Sequence, residues 1–453
     1  MANCLLKSKW IWLIALVSVA GCTVHPPGER EEREAALQAG KVLAVRSEER
    51  ELPSLAENPT VEELVRYALL SNAELEQRYW EWRSAIEQIP QDGTQPTNLV
   101  LFGGVPITNG STAFNRTTVT VANDPMADIL WPDKPTAAAR RALDMARAAG
   151  ARFLKARYEL RSKVIAAYYD LALTSELIDL EQRNTELLQT TATVTESRNR
   201  TGTAGQQDVL KASNELDLSR NDIANMQSQL PALQSALNAL LNRPADARLG
   251  SPAQLPTTRQ VAYTDAELLA RTARQNPELA ALAHEIEGRK EGIRLARLQY
   301  YPDFSASVGT DLGGIAQNLS GMVTVPLLRY QAINAAIAQA EANLRASEAM
   351  RRQMSNDLNA QTVMDLSTLR DADRQLELFE QTILPRTRRV VDVARSAYES
   401  GRASLLDLLD SQRSLIAIER LVANLRATRE KRLADLEAIA AIDLSDDHKV
   451  LAD

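Results

Sequence analysis

Val164-Ile165-Ala166-Ala167-Tyr168-Tyr169-Asp170-Leu171-Ala172-Leu173-Thr174-Ser175-Glu176-Leu177-Ile178-Asp179-Leu180 carries two apolar series in one stretch. Val164, Leu171 and Ile178 recur every seven residues; so do Leu173, Leu180 and, further on, Leu187. Seven-residue repeats are the seams of coiled coils. The two series are offset by two positions, about 200° around a helix axis, which places a neighbour on each flank. A helix in the wall of a tube has such surroundings; a two- or three-helix bundle with a broad apolar face is the other arrangement the spacing allows. The pattern predicts a helix over about 134–200, roughly 100 Å long at 1.5 Å per residue, with no core of its own.

Working outward, the chain occurs twice. Thr60-Val61-Glu62-Glu63-Leu64 has the form of a capping box, in which Thr60 accepts from the third helical amide and Glu63 bonds back. Thr264-Asp265-Ala266-Glu267-Leu268 repeats it 204 residues later, as Asn276-Pro277-Glu278-Leu279 repeats Asn72-Ala73-Glu74-Leu75. Gly202, Asp208, Val209 and Leu210 recur, offset by 199, as Gly401, Asp407, Leu408 and Leu409. Ordered landmarks at a nearly constant offset mark an internal duplication. Each copy reads helix, hairpin of strands, very long helix, turn, helix. The segments are about 60–91, 98–131, 134–200 and 206–243, then about 264–299, 303–328, 330–399 and 404–440. The shorter helices of a copy together match the length of the long one and would lie along it. Pro385 interrupts the second long helix and is expected to kink it.

The strand segments alternate. Phe304, Ala306 and Val308 interleave with Ser305, Ser307 and Gly309; Val119 and Val121 interleave with Thr118 and Thr120; Val323 and Val325 flank Thr324. Period-two alternation suits a barrel strand with lipid on one face and water on the other. Leu99–Val105 alternates less cleanly. Four strands cannot close a barrel, since the smallest have about eight. The barrel would be shared between chains, because open strand edges do not survive in lipid. The expected fold is therefore mainly α with a small β part: a long α-helical barrel joined to a transmembrane β-barrel.

The N-terminus agrees. Lys7 and Lys9 precede an apolar run from Trp10 to Val19, too short to span a bilayer. It ends in Val19-Ala20-Gly21-Cys22, the pattern of a lipoprotein signal. Residues 1–21 are expected to be the signal and Cys22 the lipidated residue, with Thr23 giving no inner-membrane retention signal. Residues 22–58, with Pro26, Pro27 and the charge run Glu29–Arg33, are expected to form an extended or partly ordered tether. The first repeat then covers 59–250 and the second 262–443. Of the two cysteines, Cys4 leaves with the signal, so no internal disulfide can form.

Composition narrows the function. The 453 residues are 45% apolar, 25% charged and only 4% aromatic, as in long helices with thin cores. A formal net charge of −7 argues against a nucleic-acid partner. The three histidines, His25, His284 and His448, are too scattered for a metal set, and His284-Glu285 lacks the second histidine of a zinc helix. There is no glycine-rich phosphate loop and no nucleophile elbow. An enzyme is not expected, nor a cofactor. A periplasmic coiled-coil spacer without a pore is the competing reading; it accounts for the helices and the lipid, but poorly for the alternating strands.

Across about 59–443 the chain resembles the outer-membrane efflux proteins of the TolC type, and the lipid signal places it nearer their lipidated, OprM-like branch. The resemblance is carried by Tyr398-Glu-Ser-Gly401-Arg-Ala-Ser-Leu-Leu-Asp407-Leu-Leu-Asp410-Ser-Gln412, Tyr301-Pro302-Asp303-Phe304, Val325-Pro326-Leu327-Leu328 and Leu240-Leu241-Asn242-Arg243-Pro244. It implies a homotrimer with a twelve-stranded barrel in the outer membrane and a twelve-helix tunnel through the periplasm. It also implies a periplasmic adapter protein and an inner-membrane pump as partners. The turns at Gly202 and Gly401 would be the adapter-docking tips, and equally they are ordinary helix ends. Asp407 and Asp410, three apart on one face, match an acidic pore constriction whose mutual repulsion would raise their proton affinity. By spacing alone they are a solvated face. The first copy has Asp208 and Lys211 there. Tyr398 and Asp208 match gate contacts, but the arginine expected two residues after the second glycine is Ala403, and Arg402 stands one place early.

Overall fold

The computed structural model describes residues 23–442 except 97, 106, 109–110, 113–116, 124–127, 251, 253–254, 257, 260, 262 and 312–316. Cys22 and the signal lie outside the described residues. The chain divides into two compact units, one of residues up to Lys41, Arg78–Phe153 and Glu278–Met354, the other of Val42–Gln77, Leu154–Pro277 and Ser355 onward.

The helices are α1 Glu29–Ala39, α2 Val61–Ser71, α3 Ala73–Gly93, α4 Asp133–Arg200, α5 Gln206–Leu240, α6 Asp265–Gln275, α7 Pro277–Leu298, α8 Tyr330–Leu378, α9 Leu384–Glu399 and α10 Leu405–Ala440. The strands are β1 Leu99–Gly104, β2 Ile107–Thr108, β3 Ser111–Thr112, β4 Thr118–Asn123, β5 Asp303–Asp311 and β6 Gln317–Thr324. The long helix fills the range its heptads predict. Val164, Leu171 and Ile178 are buried, as is Leu180, while Leu173 and Leu187 are half-buried.

In the first unit, β1, β4, β5 and β6 form one antiparallel sheet in the order β1-β4-β5-β6. β2 and β3 add a small ribbon beyond the first hairpin, which the sequence pattern does not single out. The sheet is a single layer: none of its described residues is buried, and Leu101 and Leu319 are 69% and 77% exposed. Its foot is held by a clamp. Lys134 Nζ donates to both carboxylate oxygens of Asp303, at 2.8 and 2.7 Å, and to the Tyr301 carbonyl. The Trp131 amide donates to the same carboxylate. Ile129 pairs with Phe304 as an isolated bridge, and the Trp131 ring packs on Tyr301 and Phe304.

In the same unit, part of the segment expected to be extended or partly ordered, 22–58, is helical. Glu29–Ala39 is a helix, because its charges pair along its own turns and against α3. Arg33 bonds Glu29 and Glu87, and Glu32 accepts from Trp82 Nε1 at 2.8 Å. Gly40 closes the helix against the ring of Tyr79, where no side chain fits. Charge density signalled solvent; pairing at i,i+4 made the segment a docked helix instead.

In the second unit the duplication is physical as well as textual. Both capping boxes form, Thr60 with Glu63 and Thr264 with Glu267. Asn72 then ties the end of α5 through Leu240 O at 2.9 Å, and Asn276 ties the end of α10 through Ile439 O at 2.8 Å. These asparagines end α2 and α6, so each 60–91-type segment is two helices rather than one. Leu268, Leu366, Leu369, Leu433 and Leu436 make the apolar core there. Beside it runs a buried ionic chain in which Arg259 bridges Glu430 and Glu437, and Arg161 also holds Glu437. Between α8 and α9, Phe379–Ile383 is a π turn. Pro385 has no N–H for the Gln381 carbonyl and its ring crowds that oxygen; the wider turn absorbs both effects.

Candidate functional site: the paired helix turns

Gly202 and Gly401 end α4 and α9 in the left-handed region, at φ +74° and +73°. Nothing stands within 4 Å of a Cβ placed at Gly202, so the backbone conformation, not space, calls for glycine. The bonding matches in both turns. Gly202 N donates to Asn199 O and Thr203 N to Arg198 O; Gly401 N donates to Tyr398 O and Arg402 N to Ala397 O. This is the six-to-one helix end that satisfies otherwise orphaned carbonyls.

The next helices begin differently. Ser404 caps α10: its hydroxyl accepts from the Asp407 amide at 3.2 Å, and Asp407 Oδ2 accepts from the Ser404 hydroxyl and amide at 2.7 and 3.1 Å. The Ser404 hydroxyl and then its amide hold the Asp407 carboxyl below the usual carboxylate range. Within one chain this runs against the raised proton affinity expected of a ring. Asp410 is exposed one turn on, near Arg413, which bonds Glu215. At the matching place in the first copy, the residue before α5 is Gly205, which has no side chain to cap with, and Asp208 is half-buried.

Tyr398 is buried and committed within its own chain. Its hydroxyl meets Thr195 Oγ1 at 2.7 Å, the Arg198 guanidinium stands 4.7 Å over its ring, and Arg198 Nη1 donates to its carbonyl. Among the described residues no hydrogen bond joins Tyr398 to Asp208. Around the ring pack Leu188, Ala212, Leu216, Leu405, Leu408 and Leu409. Arg402 turns back to Ser400 Oγ at 2.9 Å, so the displaced arginine stays on its own turn. Arg198 and Thr195 were missed in the sequence. Their signal was present: they are three apart on one face and end opposite the copy that carries Tyr398.

Two helical hairpins capped by matched turns are thus carried on one chain with a single-layer antiparallel sheet. The sequence pattern of the outer membrane efflux protein family matches residues 268–441, most of the second copy. It is 25% identical over 288 residues to the cation efflux system protein CusC of Escherichia coli O157:H7, covering 60% of this chain and 61% of CusC. It is 23% identical over 291 residues to SilC of Salmonella typhimurium, named a probable outer membrane lipoprotein, with the same coverages of 60% and 61%. The chain thus spans about three fifths of the length of these relatives. The solved structure of the outer membrane protein VceC of Vibrio cholerae superposes with a TM-score of 0.73 at 19% identity, over 85% of this chain and 97% of that one; this likeness shows the fold.

Proposed function

We infer that this chain is one subunit of a homotrimeric exit duct, lipid-anchored in the outer membrane and extending into the periplasm, through which a periplasmic adapter and an inner-membrane pump discharge their cargo. The duct is passive, and the energy is spent by the pump. The observation that carries this is the incompleteness of the single chain. Its sheet has two open edges and large apolar side chains standing free, and such a sheet is tolerable only when closed into a barrel in lipid. From Tyr330 to Gln361, α8 buries only Ile333. A helix so little covered needs neighbours beyond its own chain.

The lipid anchor has support from the segment after Cys22. Val24 N donates to Gly93 O at 3.0 Å and the Thr23 and Thr94 hydroxyls meet at 3.0 Å. Thr23, the residue after the expected lipidation site, therefore lies next to the end of α3, a few residues before β1, where the sheet begins. A lipid on the residue before Thr23 would enter the same leaflet as the sheet's foot. The turns at Gly202 and Gly401 are the natural docking tips. Asp407 and Asp410, both exposed, are the constriction, three copies of each facing the axis. Cations suit such a ring, and the name of CusC accords with them as cargo. Native mass spectrometry of the detergent-solubilised protein tests the assembly: three chains per particle are expected, and a monomer at working concentration contradicts the reading.

A further inference from the structure

The duplication places one apolar pair without a partner. At the end of the first hairpin the chain passes Ile129-Leu130-Trp131 before α4 starts at Asp133. At the end of the second it passes Pro326-Leu327-Leu328 before α8 starts at Tyr330. Counting back from the two helix starts, an offset of 197, Leu327 stands where Leu130 stands and Leu328 where Trp131 stands. Their surroundings are opposite. Trp131 is packed on Tyr301 and Phe304, with ring centroids 5.1 and 6.0 Å away, and Ile129 exchanges both backbone bonds with Phe304 at 2.6 and 2.9 Å. Leu327 is 78% exposed and Leu328 97%.

The first exit thus seats on the foot of β5, the lead strand of the second copy. By the same repeat, the second exit should seat on the foot of the first copy's lead strand, β1. β5 starts at Asp303 and β1 at Leu99, an offset of 204 that makes Val100 the counterpart of Phe304. Within the chain that foot cannot receive Leu328, because β1 and β6 are the opposite edges of the sheet.

We propose that Leu327 and Leu328 of one subunit dock on the foot of β1, at Val100, of the next copy of this chain, reproducing between subunits the seat that Trp131 occupies within one. The contact is head-to-tail and closes a ring. It rests on the trimer reading above and adds the residues that make the joint. Pro326, at the place of Ile129, has no N–H, so the joint carries one backbone bond fewer than its counterpart and leans on apolar contact.

The test is the full-length protein carrying Val100→Cys and Leu328→Cys, purified in detergent and oxidised with copper–phenanthroline, beside each single variant and the unsubstituted chain. Expected is a ladder of disulfide-linked dimers and trimers on non-reducing gels for the double variant alone, collapsed by reductant. Native mass of the same unoxidised samples separates the two claims. Trimers that do not cross-link overturn the docking assignment and leave the trimer standing. A monomeric unsubstituted protein overturns the trimer reading and the assignment with it. If only the double variant is monomeric, Val100→Ala and Leu328→Ala decide: unchanged trimer yield for both contradicts the joint, and reduced yield for both supports it.

Discussion

The guanidinium of Arg198 lies over the ring of Tyr398, 4.7 Å from its centre, and so ties the end of the first long helix to the end of the second. Thr195 completes the tie through the Tyr398 hydroxyl at 2.7 Å. The two glycine turns of one chain are thereby fastened to each other, and in the proposed duct any opening at these turns would have to work against this fastening or move both turns together.

Arg198→Ala removes the cation and its bond to the Tyr398 carbonyl. A loss of ~0.5–2 kcal/mol at the tip is expected from the ring contact. Tyr398→Phe removes only the bond to Thr195, worth about 1 kcal/mol. Single-channel recording should show a larger open fraction in both, greater for Arg198→Ala. Unchanged open fractions would mean that the tie has no part in gating.

Asp407 gives a pH prediction. Its folded-state pKa is depressed by Ser404, so the cap it forms is intact above the ordinary carboxylate range and is lost as pH falls through the lower folded value. Cation preference attributed to Asp407 should accordingly persist through the ordinary carboxylate range and fade only below it. Ser404→Ala removes the hydroxyl and should move the loss of preference to higher pH. If preference already fades near neutral pH in the unsubstituted protein, repulsion within the ring outweighs the cap.

Glu437 is fully buried and held by Arg259 and Arg161. Glu437→Gln leaves two guanidinium groups short of a counter-charge, and breaking a buried pair in this way costs ~3–5 kcal/mol. A clear drop in Tm is expected, against little change for a control, Glu186→Gln, at an exposed position on α4.

Ala441 ends α10 at φ +51°, as Asn242 ends α5 at the same angle. Asparagine tolerates this region; for alanine it costs ~1–2 kcal/mol. Ala441→Gly should raise Tm, whereas Asn242→Gly should leave it nearly unchanged.

What could be read in the sequence was whatever is local or repeated. The heptads of Val164 and Leu171 located α4, the paired Thr60 and Thr264 boxes located α2 and α6, and the matched glycines located the turns. Asn72 and Asn276 were visible as repeat marks, but their work as ties between helix ends was not, because each reaches a carbonyl more than 160 residues away. The docking of α1 was hidden by its charge, whose partners Glu87 and Trp82 lie on α3. Pro385 predicted a kink, and the π turn before it depends on how five backbone carbonyls share the loss of one donor. At the tip, Tyr398 could be singled out but not its partners, since Thr195 and Arg198 lie in the other copy.

The central claim is that three of these chains enclose a pore narrowed by Asp407 and Asp410. Single-channel currents of the purified protein in planar bilayers, compared with Asp407→Ala/Asp410→Ala, test it most directly. The account predicts small, cation-preferring steps for the unsubstituted protein and weaker cation preference after substitution. Well-folded trimers that give no steps in either form would contradict the duct itself, and steps indifferent to the substitutions would remove the two aspartates from its narrow end.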